Sequence, residues 1–574
     1  MDSGKADNQE DGIAEKPITP EVSITKRNES DNESTKSSLR QIQSIGVPED
    51  DFKPSKKLYI AFTTLAVITL MVALDGTSLS VALPIVAQKL KGTAIEAFWS
   101  GTSFLLCSTV FQPSFASFSH IFGRRQTIMV ALLFFLIGAI IASVANNFGV
   151  LLVGRSLQGI GGGGLIALTE IVVTDLIPLR FRGDWFGIIS GMWSIGSVTG
   201  PIVGGAFAQK ATWRWIFYLN FPFVVIAMIL VPITLRLNFK QTNLGSQLRR
   251  VDWIGSVLFI GSTTSFLIPV TWGGVSYAWD SWRTLVPLLV GVAGLVAFVL
   301  FEELVAKEPL IRMDIFKNRT NAASYFSLSL HGMILWSMLY YLPLYYEAVK
   351  GETAIVAGVS LFPQTFTVAP AAVVTGILIG RIGKYRWAIW IGWILTTLGV
   401  GLLCYLKVDT PTVSWIFLNL VSGLGMGMLF PAMTFPVQAA TASKDVAFAV
   451  ALYSFFRAFG QAIGVAIGGT IFQNEMKKKL LTYPLLAPQA TEYSKDASSL
   501  VQIIKAMAPG QARTELIQGY TDSLQIVWAV MTGLAFLGFA TSLLIQELDM
   551  NRALDTEQGM KREKTKEQGE VEKK

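Results

Sequence analysis

Apolar residues occur in this chain as long runs of about 20 residues, separated by short segments that contain charged or turn-forming residues. A run of about 20 apolar residues is long enough for an α-helix to cross a lipid bilayer. We predict fourteen such helices and number them span 1 to span 14 in chain order. Their residues are 58–80, 98–117, 127–144, 150–174, 185–208, 215–235, 253–272, 285–304, 322–346, 355–379, 387–406, 412–436, 447–471 and 524–545.

Lys and Arg residues distinguish the two sides of the predicted bundle. The short segments that follow even-numbered spans carry about twice as many basic residues as the short segments on the other side. Basic residues concentrate in the loops that stay in the cytosol. We therefore predict that both termini are cytosolic.

The fourteen spans group into two sets of six with two additional spans between them. The predicted domains are, in chain order, a disordered cytosolic tail (1–56), an N-terminal six-helix half (57–236), a linker with two additional transmembrane helices (237–320), a C-terminal six-helix half (321–546) that contains an extracytosolic loop (473–523), and a charged cytosolic tail (547–574).

Composition narrows the class of protein. The chain has 574 residues, of which 51% are hydrophobic and 15% are charged, and its mean hydropathy is +0.48. These values indicate a polytopic membrane protein. The net charge of +7 does not indicate nucleic-acid binding, because the basic residues lie in short loops and tails.

The sequence does not indicate a metal-binding site or an ATP-binding site. The two cysteines, Cys107 and Cys404, lie about three hundred residues apart, and the chain has only two histidines, His120 and His331. A Gly-x4-Gly-Lys-Ser/Thr sequence for nucleotide binding is lacking. We predict no metal, no cofactor and no catalytic residues, and therefore a protein that is not an enzyme.

A short sequence recurs in corresponding loops of the two halves. Ser119 to Arg125 follows span 2, Gly380 to Arg386 follows span 10, and each contains an aliphatic residue, a glycine and a basic cluster. Two six-span halves related by an axis along the membrane normal are typical of one large class of secondary transporters. The repeat therefore favours an all-α transporter fold.

Span 5 contains a glycine ladder interrupted by a proline. In an ordinary helix interior glycine costs about 1 kcal/mol and proline about 3 kcal/mol relative to alanine. In a membrane, small residues let another backbone approach closely, and proline allows bending. We expect the ladder to let span 5 pack tightly against, and bend with, the opposing half. The ladder consists of Gly196, Gly200, Pro201, Gly204 and Gly205.

Three further motifs accompany the ladder in a fixed order. Leu74-Asp75-Gly76-Thr77 lies in span 1 and is followed by Val81-Ala82-Leu83-Pro84. Span 4 contains Arg155-x2-Gln158-Gly159, and span 6 opens with Trp213-Arg214-Trp215-x-Phe217-x2-Asn220. Together these four motifs resemble those of the fungal-type, fourteen-span drug:proton antiporters of the major facilitator superfamily.

The resemblance covers about residues 57 to 546 and implies a function. It implies the major facilitator fold and a proton-coupled efflux transporter that exports small amphipathic or hydrophobic compounds, such as drugs, toxins or secondary metabolites, by alternating access. It also implies multidrug or toxin resistance as a biological effect. The implied partners are a small-molecule substrate, protons and the lipid bilayer, for a monomer in the plasma membrane or, alternatively, the vacuolar membrane.

The loop after span 2 departs from the family pattern. The family usually begins this loop with Gly and carries an Asp before Gly-Arg-Arg, but this chain has Ala116 and His120. That Asp usually belongs to a cytosolic charge relay, so the departure leaves open whether His120 preserves it. The expected gating loop comprises His120, Gly123, Arg124 and Arg125.

Asp75 and Arg155 are the first candidates for proton coupling or substrate contact. At 1.5 Å per residue, both lie roughly 8 to 14 Å below the predicted outer surface. A charge at that depth is costly unless it is paired or faces water. The two side chains are therefore expected to meet, either as a site where proton and substrate compete or as a permanent structural ion pair.

Three other ionisable residues lie inside predicted spans. Glu170 in span 4 is a candidate second proton relay, whereas Asp175 is expected at the interface. Arg457 near the middle of span 13 needs a partner or water, so it is a candidate for proton coupling or substrate contact that faces the cavity, with hydrogen bonding to a neighbouring helix as the alternative. His331 in span 9 is a further candidate because histidine is the side chain suited to titrate near neutral pH, with a hydrogen-bonded core histidine as the alternative.

Aromatic residues divide by depth. Tryptophans at span ends are expected to be interfacial anchors, Trp415 among them. Trp193, Trp336, Tyr340 and Tyr453 lie deeper and are expected either to line an apolar pocket or to pack between helices.

Two alternatives to drug export remain. The first is a siderophore or basic amino acid transporter of the same superfamily, which the span 5 ladder disfavours. The second is a non-transporting nutrient sensor, which usually carries a longer cytosolic extension than the tails of this chain.

Overall fold

The computed structural model describes residues 54–92, 94–239, 243–274, 277–495, 497–551, 556, 558 and 559. Almost every described segment is helical, and these segments contain no β-strand. The predicted all-α fold is therefore confirmed. Most of the predicted N-terminal tail (1–56) and all of the last fifteen residues lie outside the described residues.

The helices of the N-terminal half follow the predicted spans closely. Capping side chains define the starts of several of them, since Ser55 accepts from the Leu58 amide and Asn147 accepts from the Val150 amide. The helices are α1 (Lys56–Leu90), α2 (Ala94–Val110), α3 (Gln112–Phe122), α4 (Arg124–Ser143), α5 (Phe148–Leu176), α6 (Arg182–Lys210), α7 (Trp215–Tyr218) and α8 (Asn220–Thr234).

The linker and the C-terminal half contain the remaining helices. They are α9 (Leu244–Arg250), α10 (Trp253–Trp272), α11 (Trp282–Leu304), α12 (Asp314–Lys317), α13 (Arg319–Ala348), α14 (Ala354–Ser360), α15 (Phe362–Ile382), α16 (Arg386–Leu402), α17 (Thr412–Ala432), α18 (Thr434–Ala439), α19 (Val446–Thr482), α20 (Ala490–Tyr493), α21 (Ala497–Ala506) and α22 (Gln511–Ser542).

Helix packing repeats between the two halves. In the N-terminal half α1 packs against α6, α2 against α5 and α4 against α5, whereas in the C-terminal half α13 packs against α19, α15 against α17 and α16 against α17. The halves meet along α6 and α15 on one side and along α19 with α2, α3 and α5 on the other. This arrangement agrees with the internal repeat that the loop sequences predicted.

The two additional helices form a hairpin on the outside of this assembly. α10 packs against α11, and it also touches α2 of the N-terminal half and α19 of the C-terminal half. Phe259 and Phe266 of α10 lie 5.3 Å from Phe455 and 5.7 Å from Phe459 of α19, measured between ring centroids. The hairpin therefore covers one of the two seams between the halves.

Twelve helices within the described residues are long and apolar enough to cross a membrane. Predicted spans 2 and 9 are missing from that set. Span 2 is broken at Phe111 between α2 and α3. Span 9 lies within α13, where buried serines and His331 make the sequence more polar. The count of fourteen therefore stays a prediction.

The segment 473–523, predicted to be an extracytosolic loop, is largely helical, because α19 continues to Thr482 and α22 begins at Gln511. Its location outside the cytosol stays a prediction, whereas one local prediction, on Trp415, was wrong. Apolar side chains of α21, such as Leu500 and Ile504, are buried in the C-terminal core. Trp415, expected at the membrane interface, is 6% exposed and packs against Tyr346.

Candidate functional site

Asp75 of α1 is surrounded by three side-chain donors. Its Oδ2 lies 2.6 Å from Arg155 Nη1, and both side chains are fully buried. Its Oδ1 accepts from Gln158 Nε2 at 3.0 Å and from Asn220 Nδ2 at 2.6 Å. We call these four residues the Asp75 cluster. The cluster joins α1, α5 and α8, so three of the sequence motifs converge at one point.

Arg155 is held by further contacts beyond the ion pair. Its Nε donates to the Ser100 carbonyl at 3.2 Å, and its Nη1 also donates to Gln158 Oε1 at 3.0 Å. Its guanidinium carbon lies 4.4 Å from the centroid of the Phe104 ring. The expected meeting of Asp75 and Arg155 therefore occurs, within the N-terminal half.

The glycine ladder packs against α1 and not, as predicted, chiefly against the opposing half. A Cβ atom on Gly196 would lie 2.6 Å from Ala73 Cβ, and one on Gly204 would lie 1.9 Å from the Ser78 carbonyl oxygen. Gly200 similarly faces Thr77. The prediction was wrong because the spacing of glycines shows which face of a helix carries small residues, but it does not show which neighbouring helix packs against that face. The ladder presses α6 against the turn of α1 that carries Asp75.

A different face of α6 meets the opposing half. A Cβ atom on Gly183 would lie 2.2 Å from the Gly376 carbonyl oxygen of α15, and one on Gly187 would lie 3.0 Å from Val373 Cα. Farther along α6, Pro201 lies near Gly358 and Gly205 lies near Ile355. Pro201 and Gly205 of the ladder therefore contact the C-terminal half.

Glu170 and Arg457 form an ion pair between the two halves. Glu170 Oε1 of α5 lies 3.1 Å from Arg457 Nη2 of α19, and the side chains are 7% and 12% exposed. The other carboxylate oxygen accepts a hydrogen bond from Ser454. Both residues were predicted as separate candidates, and the structure brings them together.

Aromatic side chains surround the Arg457 guanidinium. Arg457 Nη1 lies 3.2 Å from the Tyr453 hydroxyl, which donates to the Phe430 carbonyl at 2.8 Å. The guanidinium carbon lies 5.1 Å from the centroid of the Phe430 ring. His331 packs edge-on against the other side of this ring at 5.1 Å and is 1% exposed. His331 is thus next to the pair rather than part of it.

A small, nearly closed cavity lies between the halves beside Arg457. Both halves contribute to its walls, with Phe104 and Trp193 from the N-terminal half and Trp336 from the C-terminal half. Polar side chains, including Gln112 and Gln461, also line it. The deep tryptophans predicted to line an apolar pocket do so, whereas Tyr453 instead holds Arg457.

The predicted gating loop pairs with the end of α5. Arg124 Nε lies 2.8 Å from Asp175 Oδ2, and both residues are buried at the end of α5. Gly123 adopts a φ of +94°, which favours glycine. Arg125 is exposed. The His120 ring lies 5.5 Å from Phe448 of α19, across the seam between the halves.

Further contacts join the halves at this end of the bundle, which is predicted to be cytosolic. Arg182 Nη1 donates to Gln438 Oε1 of α18 at 2.6 Å, and its other nitrogens donate to carbonyls at the end of α5. Gln438 borders a second cavity together with His120 and Arg124 of the gating loop. The two halves therefore touch at the predicted cytosolic end in this conformation.

The described part of the C-terminal tail crosses the same end. The Glu547 carboxylate accepts from the Tyr385 and Arg386 amides in the C-terminal half. Thr556 donates to Asp175 at 3.1 Å, and Gln558 accepts from the Arg124 amide at 3.0 Å in the N-terminal half. The tail was assigned no chemistry from sequence, but it contacts both halves.

Sequence reasoning missed several members of these clusters. Asn220 and Gln158 belong to quoted motifs, but neither was recognised as a partner of Asp75. Ser454 lies one helical turn before Arg457, and that spacing was the available signal. Within the described residues, no group of three His, Cys, Asp or Glu side chains is positioned to hold a metal ion.

Comparisons with known proteins agree with this architecture. The family model of the Major Facilitator Superfamily matches residues 65–465. The MFS transporter L2 of Phoma sp. (strain ATCC 20986 / MF5453) is 59% identical over 517 residues, covering 90% of this chain and 86% of that protein. The efflux pump FUS6 of Gibberella moniliformis is 34% identical over 539 residues, covering 92% and 94%.

Solved structures show the same fold at low sequence identity. The human organic anion transporter MFSD10 (TETRAN) matches with a TM-score of 0.55 and 13% identity, over 86% of this chain and 100% of that one. The proton:xylose symporter XylE matches with a TM-score of 0.54 and 11% identity, over 88% and 98%. With the helical fold and twelve long apolar helices of its described residues, and with these matches, the chain is a multi-pass membrane protein that belongs to the Major Facilitator Superfamily.

Proposed function

We propose that this protein is a proton-coupled efflux transporter that exports small amphipathic or hydrophobic compounds by alternating access. The observation that carries the proposal is the Glu170–Arg457 ion pair, which joins the two halves beside a cavity that both halves line. Protonation of Glu170 removes the charge that attracts Arg457. Proton binding thereby weakens a contact between the halves, and this links proton movement to opening of the cavity.

The Asp75 cluster supplies a second buried carboxylate on the same helical framework. Arg155 and Glu170 both belong to α5, so a change in protonation at Asp75 acts on the helix that also carries the inter-half pair. We propose that Asp75 takes part in coupling through this helix. A purely structural role for Asp75 predicts lower stability without any change in coupling, and the two roles are separable by experiment.

Export rather than import is supported by two observations. The glycine ladder resembles that of antiporters, and it packs against the Asp75-bearing turn. Several relatives are named efflux pumps, including FUS6 and LUC4. A basic amino acid transporter is disfavoured because Arg457 is the one charged side chain among the described residues that line the cavity.

Efflux of an uncharged fluorescent dye tests the proposal. Yeast cells expressing the full chain are loaded with Nile red, and we expect them to lose the dye several-fold faster than cells without it. A protonophore should abolish the difference. Equal dye loss with and without the protein would contradict export, and loss that persists with the protonophore would contradict proton coupling.

Carboxylate variants test the assigned residues. We expect Glu170→Gln and Asp75→Asn to lose at least tenfold in efflux driven by a pH gradient in proteoliposomes, while Glu170→Gln retains downhill exchange. Asp280→Asn, at an exposed loop position, is the matched control and should keep native rates. Full gradient-driven efflux by Glu170→Gln would refute its role in coupling.

We further propose that the protein acts as a monomer in the plasma membrane with both termini in the cytosol. The basic residues of the loops support this orientation. A fluorescent protein fused after Lys574 should label the cell boundary and resist protease added to intact cells. Labelling of the vacuolar membrane would assign the alternative location.

A further inference from the structure

Two carboxyl groups meet at the base of the hairpin that α10 and α11 form. Asp252 caps the start of α10, and Glu302 lies two residues before the end of α11. The two side chains are within hydrogen-bonding distance of each other. A Cβ atom on Gly255 would overlap one oxygen of each, and Glu302 is 4% exposed. The glycine therefore leaves the buried space in which the two carboxyl groups face each other.

Each of these carboxyl groups has one oxygen with a hydrogen-bond donor and one without. Asp252 Oδ1 accepts from the Gly255 amide at 2.8 Å, and Glu302 Oε2 accepts from the Ile311 amide at 3.4 Å. Asp252 Oδ2 and Glu302 Oε1 are buried and accept from no donor among the described residues. Two ionised carboxylates cannot bond to each other, because both only accept. One proton placed between the two remaining oxygens satisfies both of them.

No cation among the described residues neutralises this pair. The charged side chains on the neighbouring segments are exposed or paired elsewhere. Arg249, Lys307, Arg319 and Lys444 are exposed, whereas Arg250 pairs with Glu308, Arg312 with Asp445, Lys317 with Glu303 and Arg457 of α19 with Glu170. On α3, which packs against α9, the His120 ring faces Phe448. Two like charges in one buried site are strongly unfavourable, so a proton is the ligand that fits the pair.

Glu302 also connects the hairpin to the C-terminal half. The Ile311 amide that it binds belongs to the segment after α11, and the Ile311 side chain is buried in the C-terminal core together with Phe259 of α10. The next residue, Arg312, pairs with Asp445 directly before α19. The carboxyl pair therefore lies where α10, α11 and the C-terminal half are joined, at the predicted cytosolic end.

We propose that Asp252 and Glu302 bind one proton between them, and that this proton holds the cytosolic ends of α10 and α11 together and against the C-terminal half. The protonated group donates to the ionised one, and the proton belongs to the pair rather than to either residue. When a rise in pH removes the proton, the two negative charges repel each other and the base of the hairpin separates. This site is distinct from Asp75 and Glu170, and it does not depend on the direction of transport.

Infrared spectroscopy of the purified full chain in lipid nanodiscs at neutral pH tests for the shared proton. A protonated carboxyl group has a carbonyl band that carboxylates and amides lack. We expect Glu302→Gln to remove one such band, Asp252→Asn to remove the same band, and the double variant to remove no more, because one proton serves both residues. Glu303→Gln changes the exposed neighbour that pairs with Lys317, so it is the control and should keep the band.

Two spectroscopic results would overturn the shared proton. If the native protein and Glu302→Gln had equal intensity in this band, Glu302 and Asp252 would both be ionised. If each single variant lost a separate band and the double variant lost both, the two groups would hold independent protons. Protonated acids elsewhere in the protein contribute equally to all variants and cancel in the difference spectra.

The pH dependence of stability tests what the proton holds together. The folded pair keeps a proton at pH values at which both groups are ionised in the unfolded chain, so stability falls as the pH rises. From about pH 6 to about pH 9 we expect the melting temperature of the native protein to fall about twice as far as that of Glu302→Gln, whose amide donates to Asp252 at every pH. Glu303→Gln should follow the native protein. Equal falls for the native protein and Glu302→Gln would refute the role of the proton at the hairpin base.

Discussion

Asp75 accepts hydrogen bonds from three side chains on two other helices. The depths in the bilayer that the sequence predicts for Asp75 and Arg155 were enough to predict their contact, because two opposite charges at a similar depth are stabilised by pairing. Depth could not identify Gln158 and Asn220 as further partners. Which side of a helix faces Asp75 depends on how α5 and α8 rotate when they pack, and motif spacing does not fix that rotation.

The pairing of Glu170 with Arg457 likewise could not be predicted from the sequence. They are 287 residues apart and belong to different halves. Each was recognisable as a costly intramembrane charge in need of a partner. Their pairing follows from the contact between α5 and α19, which is a property of the assembled halves.

The energetics of the Glu170–Arg457 pair can be tested by a double-mutant cycle. Arg457→Met leaves the Glu170 carboxylate buried without an opposite charge, which we expect to cost about 3–5 kcal/mol and to lower the melting temperature clearly. Adding Glu170→Gln should restore much of that loss, because no unpaired charge remains. Thermal unfolding of the purified protein, followed by tryptophan fluorescence, measures both effects.

The exposed pair Arg250–Glu308 provides the control for this cycle. Its side chains are 42% and 43% exposed, so the same substitutions there should change stability by about 0–1 kcal/mol. An Arg457→Met variant as stable as the native protein would contradict the buried pair. So would a double variant that is less stable than the single one.

Helix α6 carries two glycine faces with different partners. The ladder at Gly196, Gly200 and Gly204 faces α1 of the same half, whereas Gly183 and Gly187 face α15 of the other half. The sequence singled out the first face by its regular spacing. It did not single out the second, because those two glycines occur without an accompanying motif. Close packing on both faces places α6 between the Asp75 turn and the opposing half.

Gly204→Ala tests the contact between α6 and α1. A Cβ atom there would lie 1.9 Å from the Ser78 carbonyl oxygen, so the two backbones must separate. We expect a loss of about 1–3 kcal/mol in stability and reduced efflux, because the Asp75 turn shifts with α1. Melting temperature and efflux of Nile red in proteoliposomes measure these effects.

Gly191→Ala in the same helix is the matched control. The nearest atom to its added Cβ lies 3.8 Å away, which is ordinary van der Waals distance. We expect its melting temperature to stay the same or to rise slightly, since alanine favours the helix. If Gly204→Ala were as stable as Gly191→Ala, the close packing of α6 on α1 would be contradicted.

At the scale of the whole molecule, the C-terminal tail connects the two halves. Glu547 is held by the loop before α16, and Asn551 accepts from Arg180 near the start of α6. Thr556 and Gln558 then reach Asp175 and the gating loop. These contacts cross the end at which the halves must separate if the cavity is to open toward the cytosol.

Truncation after Met550 tests whether the tail restrains this end. We expect the truncated protein to open there more often, because its contacts with Arg180, Asp175 and Arg124 are lost. In a variant without Cys107 and Cys404, Ala447→Cys places a single thiol at the cavity near the gating loop. Its rate of maleimide labelling should rise several-fold on truncation.

A second labelling site controls for general loosening of the protein. Gln489→Cys lies at an exposed position of the predicted outer end, and its labelling rate should not depend on the tail. Equal labelling of Ala447→Cys with and without the tail would show that these contacts do not hold the halves together.

The sequence by itself determined the membrane class, the order of the helices and the candidate charges. These follow from the length of apolar runs and from the cost of ionised groups in a bilayer, and both are local properties of the chain. The tertiary structure alone decided which helix face meets which neighbour. It paired Glu170 with Arg457 and turned the glycine ladder toward Asp75. Such contacts depend on the relative rotation and depth of helices distant in sequence, because each helix offers several faces that pack almost equally well until its neighbours are in place.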